Sequence, residues 1–140
     1  MNIYSAENNT IDLAAKQILS GKVIAFPTET VYGLGADATN GKAVEKIYKI
    51  KKRPKNNPLI IHVNTIENAL NFGVFNKNAL KIARKFWPGP LTLVLPSVKN
   101  SVISDLVTSG LSTIAIRIPK NEVARKLIQI VKNPIAAPSA

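Results

Sequence analysis

Lys51, Lys52, Arg53 and Lys55 put four cations within five positions, and His62 follows after a short apolar run. The stretch reads KKRPKNNPLIIH. Pro54 forbids a helix to continue through it, because the ring clashes and the N–H is missing. Asn56, Asn57 and Pro58 form a tight turn, and Leu59, Ile60 and Ile61 read as a buried strand. Cations gathered where a helix ends against a core strand suit an anion. They also suit an ordinary helix C-terminus, where Lys and Arg offset the macrodipole. Both readings stay open on this stretch alone.

Three further places offer chemistry. Pro27 to Asp37, PTETVYGLGAD, follows a short apolar strand and reads as a loop carrying two hydroxyls, a phenol, two carboxylates and two glycines. The alternative is a structural turn satisfying its own backbone. Gly33-Leu34-Gly35-Ala36-Asp37-Ala38 fits a relaxed dinucleotide fingerprint, but the context is wrong. The first glycine comes well after the strand, the next helix starts only near Lys42, and the chain is basic where an acidic ribose ligand belongs. No phosphate-loop pattern occurs. Arg117 stands in an otherwise apolar strand, Ser112 to Ile118, and a buried guanidinium needs an anion. An internal or a substrate carboxylate would serve; with only eight Asp and Glu in the chain, the substrate is favoured. His62 ends its strand, and a cation nearby, Arg53, is expected to keep it neutral. Trp87-Pro88-Gly89-Pro90 reads as core plus turn, without chemistry.

These residues need elements to hold them. Asn9-Thr10 is expected to cap a helix with Ile11, Ala14, Ala15, Ile18 and Leu19 on one face, stopped by Gly21. Lys22–Phe26 reads as a strand. A helix over about Lys42–Lys51 buries Val44, Ile47 and Tyr48, and Pro58–Val63 is a strand. Asn76 caps a helix with Leu80, Ala83 and Phe86–Trp87 inward. Leu91–Leu95 and Ser112–Ile118 are strands. Asn121 caps a helix burying Val123, Leu127, Ile128 and Val131, and Ile135–Ala137 begins a last strand. Alternating short strands and helices give an α/β class with a mixed, twisted sheet.

Composition bounds the function. The chain has 140 residues, 46% hydrophobic and 19% charged, which fits one globular domain. Its apolar runs are too short to span a bilayer. With no cysteine there is no disulfide framework or thiolate metal site, and one histidine excludes a multi-histidine site within the chain. The formal charge of +11 favours polyanionic partners, although a basic surface also serves solubility. No secretory signal is visible, and the expected location is cytoplasmic.

In order along the chain, PTETVYGL, IKKRPKNNPLIIH, FWPGPLTLVL, STIAIRIP and PIAAPSA resemble the threonylcarbamoyl-AMP synthase family, the YrdC-like domain. The resemblance covers essentially the whole chain. It implies a YrdC-like twisted open sheet with flanking helices and a concave basic cavity. It implies that L-threonine, bicarbonate and ATP, with Mg²⁺, give threonylcarbamoyl-AMP and pyrophosphate for modification of adenosine 37 in tRNA. Thr30, His62, Arg117 and the backbone around Ala137 then resemble the threonine contacts. Lys51 and Arg53 match the family's K-x-R pair, facing phosphates and the reacting carbonyl. Asn57, Thr113 and Ser139 resemble ATP contacts, and no side-chain metal site is implied. The implied partners are tRNA or threonylcarbamoyl-transfer proteins, with no membrane. The family's S-x-N asparagine falls after Ala140, so residues 1–140 are read as one domain lacking its C-terminal part, with impaired activity expected. Two other readings stand beside it. One is a non-catalytic module binding tRNA or double-stranded RNA. The other is a carbamoyl-transfer domain of the hydrogenase-maturation type.

Overall fold

Asparagines start three of the helices in the computed structural model, which describes residues 8–138. Asn40 accepts from the Ala43 N–H to open α2 (Gly41–Lys51), and Asn76 accepts from Ala79 to open α4 (Lys77–Phe86). Asn121 accepts from Val123 and Ala124 at the start of α5 (Glu122–Val131). Each caps amide donors that a first helical turn cannot satisfy itself. The first helix, α1 (Asn8–Leu19), begins earlier than its Asn9-Thr10 signal suggests, so those residues lie in its first turn. A four-residue helix, α3 (Ile66–Ala69), is capped by Thr65 and is too short for a periodic signal.

The strands are β1 (Ile24–Phe26), β2 (Gly33–Asp37), β3 (Ile60–His62), β4 (Thr92–Pro96), β5 (Thr113–Arg117) and β6 (Ile135–Ala137). They form one mixed sheet in the order β1-β2-β6-β3-β5-β4. Only β3 and β5 run parallel; every other neighbouring pair is antiparallel. The expected mixed α/β sheet is therefore present.

The strand β2 corrects the reading of Pro27–Asp37 as loop throughout. Residues 33–37 pair with β1 and β6 and are buried along their whole length. Their smallness has a packing cause. A Cβ on Gly35 would stand 2.7 Å from Phe26 Cε1 and 2.8 Å from Ile135 Cγ2. The glycine admits the Phe26 ring onto the sheet and is not there to admit a ligand.

Alternation along the strands divides the core in two. Ile61, Ile114, Ile116 and Ala136 join Val44, Ile47 and Tyr48 of α2 and Ala83 of α4 in one cluster. Ile135, Ala137 and Phe26 join Ile11, Ala15 and Ile18 of α1 and Leu127, Ile128 and Val131 of α5 in the other. On this second face the helices cover only part of the sheet. Over β3, β5 and β4 the residues Ile60 and Ala115 are half-buried, and Val94, the partner of Ala115, is 68% exposed. The sheet therefore presents an open floor beside α1 and α5.

Candidate functional site

Strand register sets the floor in rows. Ile60 lies between Ala137 and Ala115, and His62 lies between Ile135 and Arg117. Thr113, Ala115 and Arg117 share this face because their neighbours Ile114 and Ile116 enter the opposite core. Thr113 and Arg117 thus mark two ends of β5, about 13 Å apart at strand spacing.

At the Arg117 end the groups close on one another. Arg117 is buried, at 8% exposure. Its Nε donates to the Gly89 carbonyl at 3.1 Å, Nη1 to Thr30 Oγ1 at 3.3 Å, and Nη2 to Glu29 Oε1 at 2.7 Å. The other Glu29 oxygen accepts the Lys120 N–H at 2.9 Å. Thr28 holds the loop tip by accepting the N–H groups of Thr30 and Val31 on its hydroxyl. Burial alone would raise the Glu29 carboxyl. Hydrogen bonds from its own and the Lys120 backbone, with the Arg117 charge, outweigh that and hold it below the ordinary value. Arg117 therefore has one internal anion. Counting acids favoured a substrate carboxylate, yet an acid 88 positions away pairs with the guanidinium. The turn read as core plus turn also holds Arg117: the Gly89 carbonyl accepts from the guanidinium.

His62 is buried beside this cluster, its ring edge-on to Phe26 at 5.8 Å between centroids. Nδ1 lies 3.2 Å from the Ile135 carbonyl. A carbonyl only accepts, so Nδ1 carries the proton and Nε2 is left as an acceptor. The imidazole is pushed down to about 4, chiefly by burial. The bond to Ile135 opposes the shift, and the charge of Arg117 adds to it. His62 is neutral as expected, but through burial and Arg117, not through Arg53.

The Arg53 end is built differently. Lys52 takes the left-handed conformation, φ 50°, and closes α2 with its N–H on Tyr48 and Lys49 carbonyls. The Arg53 side chain folds back on the turn. Its Nε donates to the Asn57 carbonyl at 3.0 Å, and Nη2 to Asn57 Oδ1 at 3.0 Å and the Pro58 carbonyl at 2.7 Å. Much of the guanidinium's donor capacity thus goes to rigidifying the turn. Lys51 and Asn57 are exposed. Lys49 and Lys55 are each 3.7 Å from Glu45, an exposed pairing of little energy. Because β3 and β5 are parallel, Asn57 and Pro58 stand near the level of exposed Thr113.

The structure thus brings Thr30, Arg117 and His62 together, and joins Arg53 to Asn57 near Thr113. Ala137 gives its side chain to the core and its backbone to the row beside Ile60. Ser139 lies outside the described residues. The sequence reading missed Glu29 and Gly89 as holders of Arg117; the only signal for Glu29 was its place in the PTET segment. A cavity of about 770 Å³ lies elsewhere, beside α5 and α3, lined by Asn64, Asn68, Glu122, Arg125 and Lys132 among others. It touches none of the residues of either end. The chemistry-bearing side chains line the open floor instead, and we place the site there.

Comparison with known proteins bears on this geometry. The Sua5/YciO/YrdC family model, described as telomere recombination, matches residues 16–140. Threonylcarbamoyl-AMP synthase of Pyrococcus abyssi is 50% identical over 131 residues, covering 93% of this chain and 38% of the relative. Threonylcarbamoyl-AMP synthase of Bacillus subtilis is 47% identical over 137 residues, covering 97% and 39%. The crystal structure of P. abyssi Sua5 complexed with L-threonine superposes with a TM-score of 0.90 at 48% identity, covering 95% of this chain and 39% of that one. The chain spans a little over a third of the length of these relatives.

Proposed function

Because the chain belongs to the Sua5/YciO/YrdC family, we propose that it carries out threonylcarbamoyl-AMP synthesis. L-threonine, bicarbonate and ATP give threonylcarbamoyl-AMP, pyrophosphate and water. The carrying observation is the contact of Arg117 with Thr30, made across 87 positions beside neutral His62. In this reading Arg117 takes the threonine carboxylate, Thr30 shares its hydroxyl, and His62 Nε2 accepts from the amine or the side-chain hydroxyl. Residues near Ala137 close the pocket through their backbone. The amine and bicarbonate form a carbamate, whose oxygen attacks the α-phosphorus as pyrophosphate leaves.

ATP lies toward the other end of the floor. Lys51 offsets the charge that grows on the phosphates, and Arg53 does so while holding Asn57 in place. Thr113 and Ser139 complete the nucleotide side. This end supplies the basic part of the concave surface. Mg²⁺ enters this proposal as the ion carried on ATP. Side chains then do the work by positioning and electrostatics.

The product would serve modification of adenosine 37 in tRNA through transfer proteins, in the cytoplasm. Among the described residues no helix is long and apolar enough to cross a membrane. The formal charge of +11 supports a second reading, a module that holds RNA without catalysis. Pyrophosphate release separates the two. Release that needs ATP, bicarbonate and L-threonine together supports the synthase. RNA binding without any such release would leave the module.

A further inference from the structure

The Arg117 end carries no net charge of its own. Arg117 contributes one positive charge, Glu29 one negative, and His62 is neutral. A guanidinium has five N–H donors, and three are used here, by Gly89, Thr30 and Glu29. Among the described residues nothing else takes the remaining two, which can serve a ligand carboxylate. Glu29 keeps a smaller reserve: its oxygens accept from Arg117, from the Lys120 N–H and from its own backbone, which leaves part of the carboxylate's roughly four lone-pair sites open. A ligand bearing only a carboxylate would set two carboxylates on one buried guanidinium and leave the site with a net negative charge. That arrangement is costly where water is scarce. A zwitterion avoids it, because its ammonium restores neutrality.

We propose that Glu29 makes this end selective for an amino-acid zwitterion: Arg117 takes the α-carboxylate and Glu29 takes the α-ammonium. The inference rests on the reading of the site as a threonine pocket and adds the group that reads the nitrogen. His62 offers a neutral acceptor to the same region, but a neutral group cannot offset a charge. Glu29 does. It is placed to do so because the loop from Pro27 to Tyr32 is tied to β5 through Arg117 and to the start of the next segment through Lys120. Glu29 is then a specificity residue, and without its charge Arg117 would attract any small hydroxy-carboxylate of the right size.

The test compares two ligands that differ only in the amine, L-threonine and (R)-3-hydroxybutyrate, by calorimetric titration of the whole chain. The wild-type protein is expected to prefer L-threonine by about ten-fold or more. In Glu29→Gln, which keeps the shape and loses the charge, L-threonine weakens, hydroxybutyrate strengthens, and the preference falls to within about three-fold. A merely structural role would weaken both ligands together and leave the ratio unchanged, which would overturn the proposal. The wild-type comparison stands even where the variant fails to fold. Equal binding of the two ligands by wild type sinks the role of Glu29 while leaving the threonine pocket intact. Binding of neither ligand sinks the threonine reading, and this inference with it.

Discussion

The two ends of the open floor hold their arginines in opposite ways. Arg117 is buried and tied to residues distant in sequence: Glu29, Thr30 and Gly89. Arg53 is half-exposed and tied to its own turn, through Asn57 and Pro58 only four and five positions on. The first arrangement fixes a charge to within a narrow geometry and neutralises it. The second stiffens a loop and leaves its positive charge uncompensated, with exposed Lys51 beside it. A small zwitterion needs the first kind of site, and a mobile polyanionic tail is served by the second.

Removing Arg117 should break the contrast most severely. Arg117→Ala strands the Glu29 carboxylate, the Gly89 carbonyl and the loop tip at once. Breaking a buried ion pair from one side costs about 3–5 kcal/mol, and the lower end applies because Glu29 keeps 22% of its side chain exposed. Urea unfolding should show a loss of about 3 kcal/mol, and the thermal shift produced by L-threonine should vanish. A stable variant that still responds to L-threonine would remove Arg117 from the pocket.

Acid should separate the ends almost as strongly. The folded protein holds His62 at about 4 against an ordinary 6.5. Between those values the unfolded chain binds the extra proton, so stability rises with pH across that window. The contribution is complete above about 6.5 and is lost as pH falls toward 4, amounting to about 3 kcal/mol. Glu29, held low, adds a further loss as pH drops below the ordinary carboxylate value of 4.5. Unfolding free energies at pH 7.5 and 4.5 should differ much less in His62→Asn than in wild type. An identical drop in both would mean that another group controls the acid limb. The Arg53 end holds no histidine, since His62 is the only one in the chain.

What the sequence made legible divides along the same line. The helices at Asn76 and Asn121 could be read because cap and periodicity agree within a few residues. The cap at Asn40 was hidden because glycine follows it. β2 was not legible: GLGAD lacks the branched and aromatic residues that mark strands, and its small residues make sense only once Phe26 and Ile135 lie over them. Arg117 announced itself as a charge in an apolar strand. Its partner did not, since a contact across 88 positions leaves no local pattern, and the scarcity of acids pointed away from an internal carboxylate. At the other end the residues were legible and the bonding was not. Arg53 and Asn57 stand four apart in plain view, yet the carbonyls of their own turn compete for the guanidinium with any outside anion.

The finest division lies within the basic end, among three adjacent cations. Arg53→Ala removes three hydrogen bonds from a charged donor, partly replaced by water at this half-exposed position, so stability should fall by about 1–2 kcal/mol and ATP affinity with it. The Lys51 side chain makes no hydrogen bond or ion pair to the described residues. Lys51→Ala should therefore change stability by no more than about 0.5 kcal/mol. It should still weaken ATP several-fold at low salt, an effect that shrinks as ionic strength rises. Lys52 closes the helix through its backbone, in a conformation that alanine adopts no more readily and no less. Lys52→Ala should leave both stability and ATP binding nearly unchanged. Calorimetric ATP titrations of the three variants at two salt concentrations, beside urea unfolding, make the comparison. If Lys51→Ala and Lys52→Ala weaken ATP equally, the end is a diffuse field of charge; if only Lys51→Ala does, the phosphates meet a directed group.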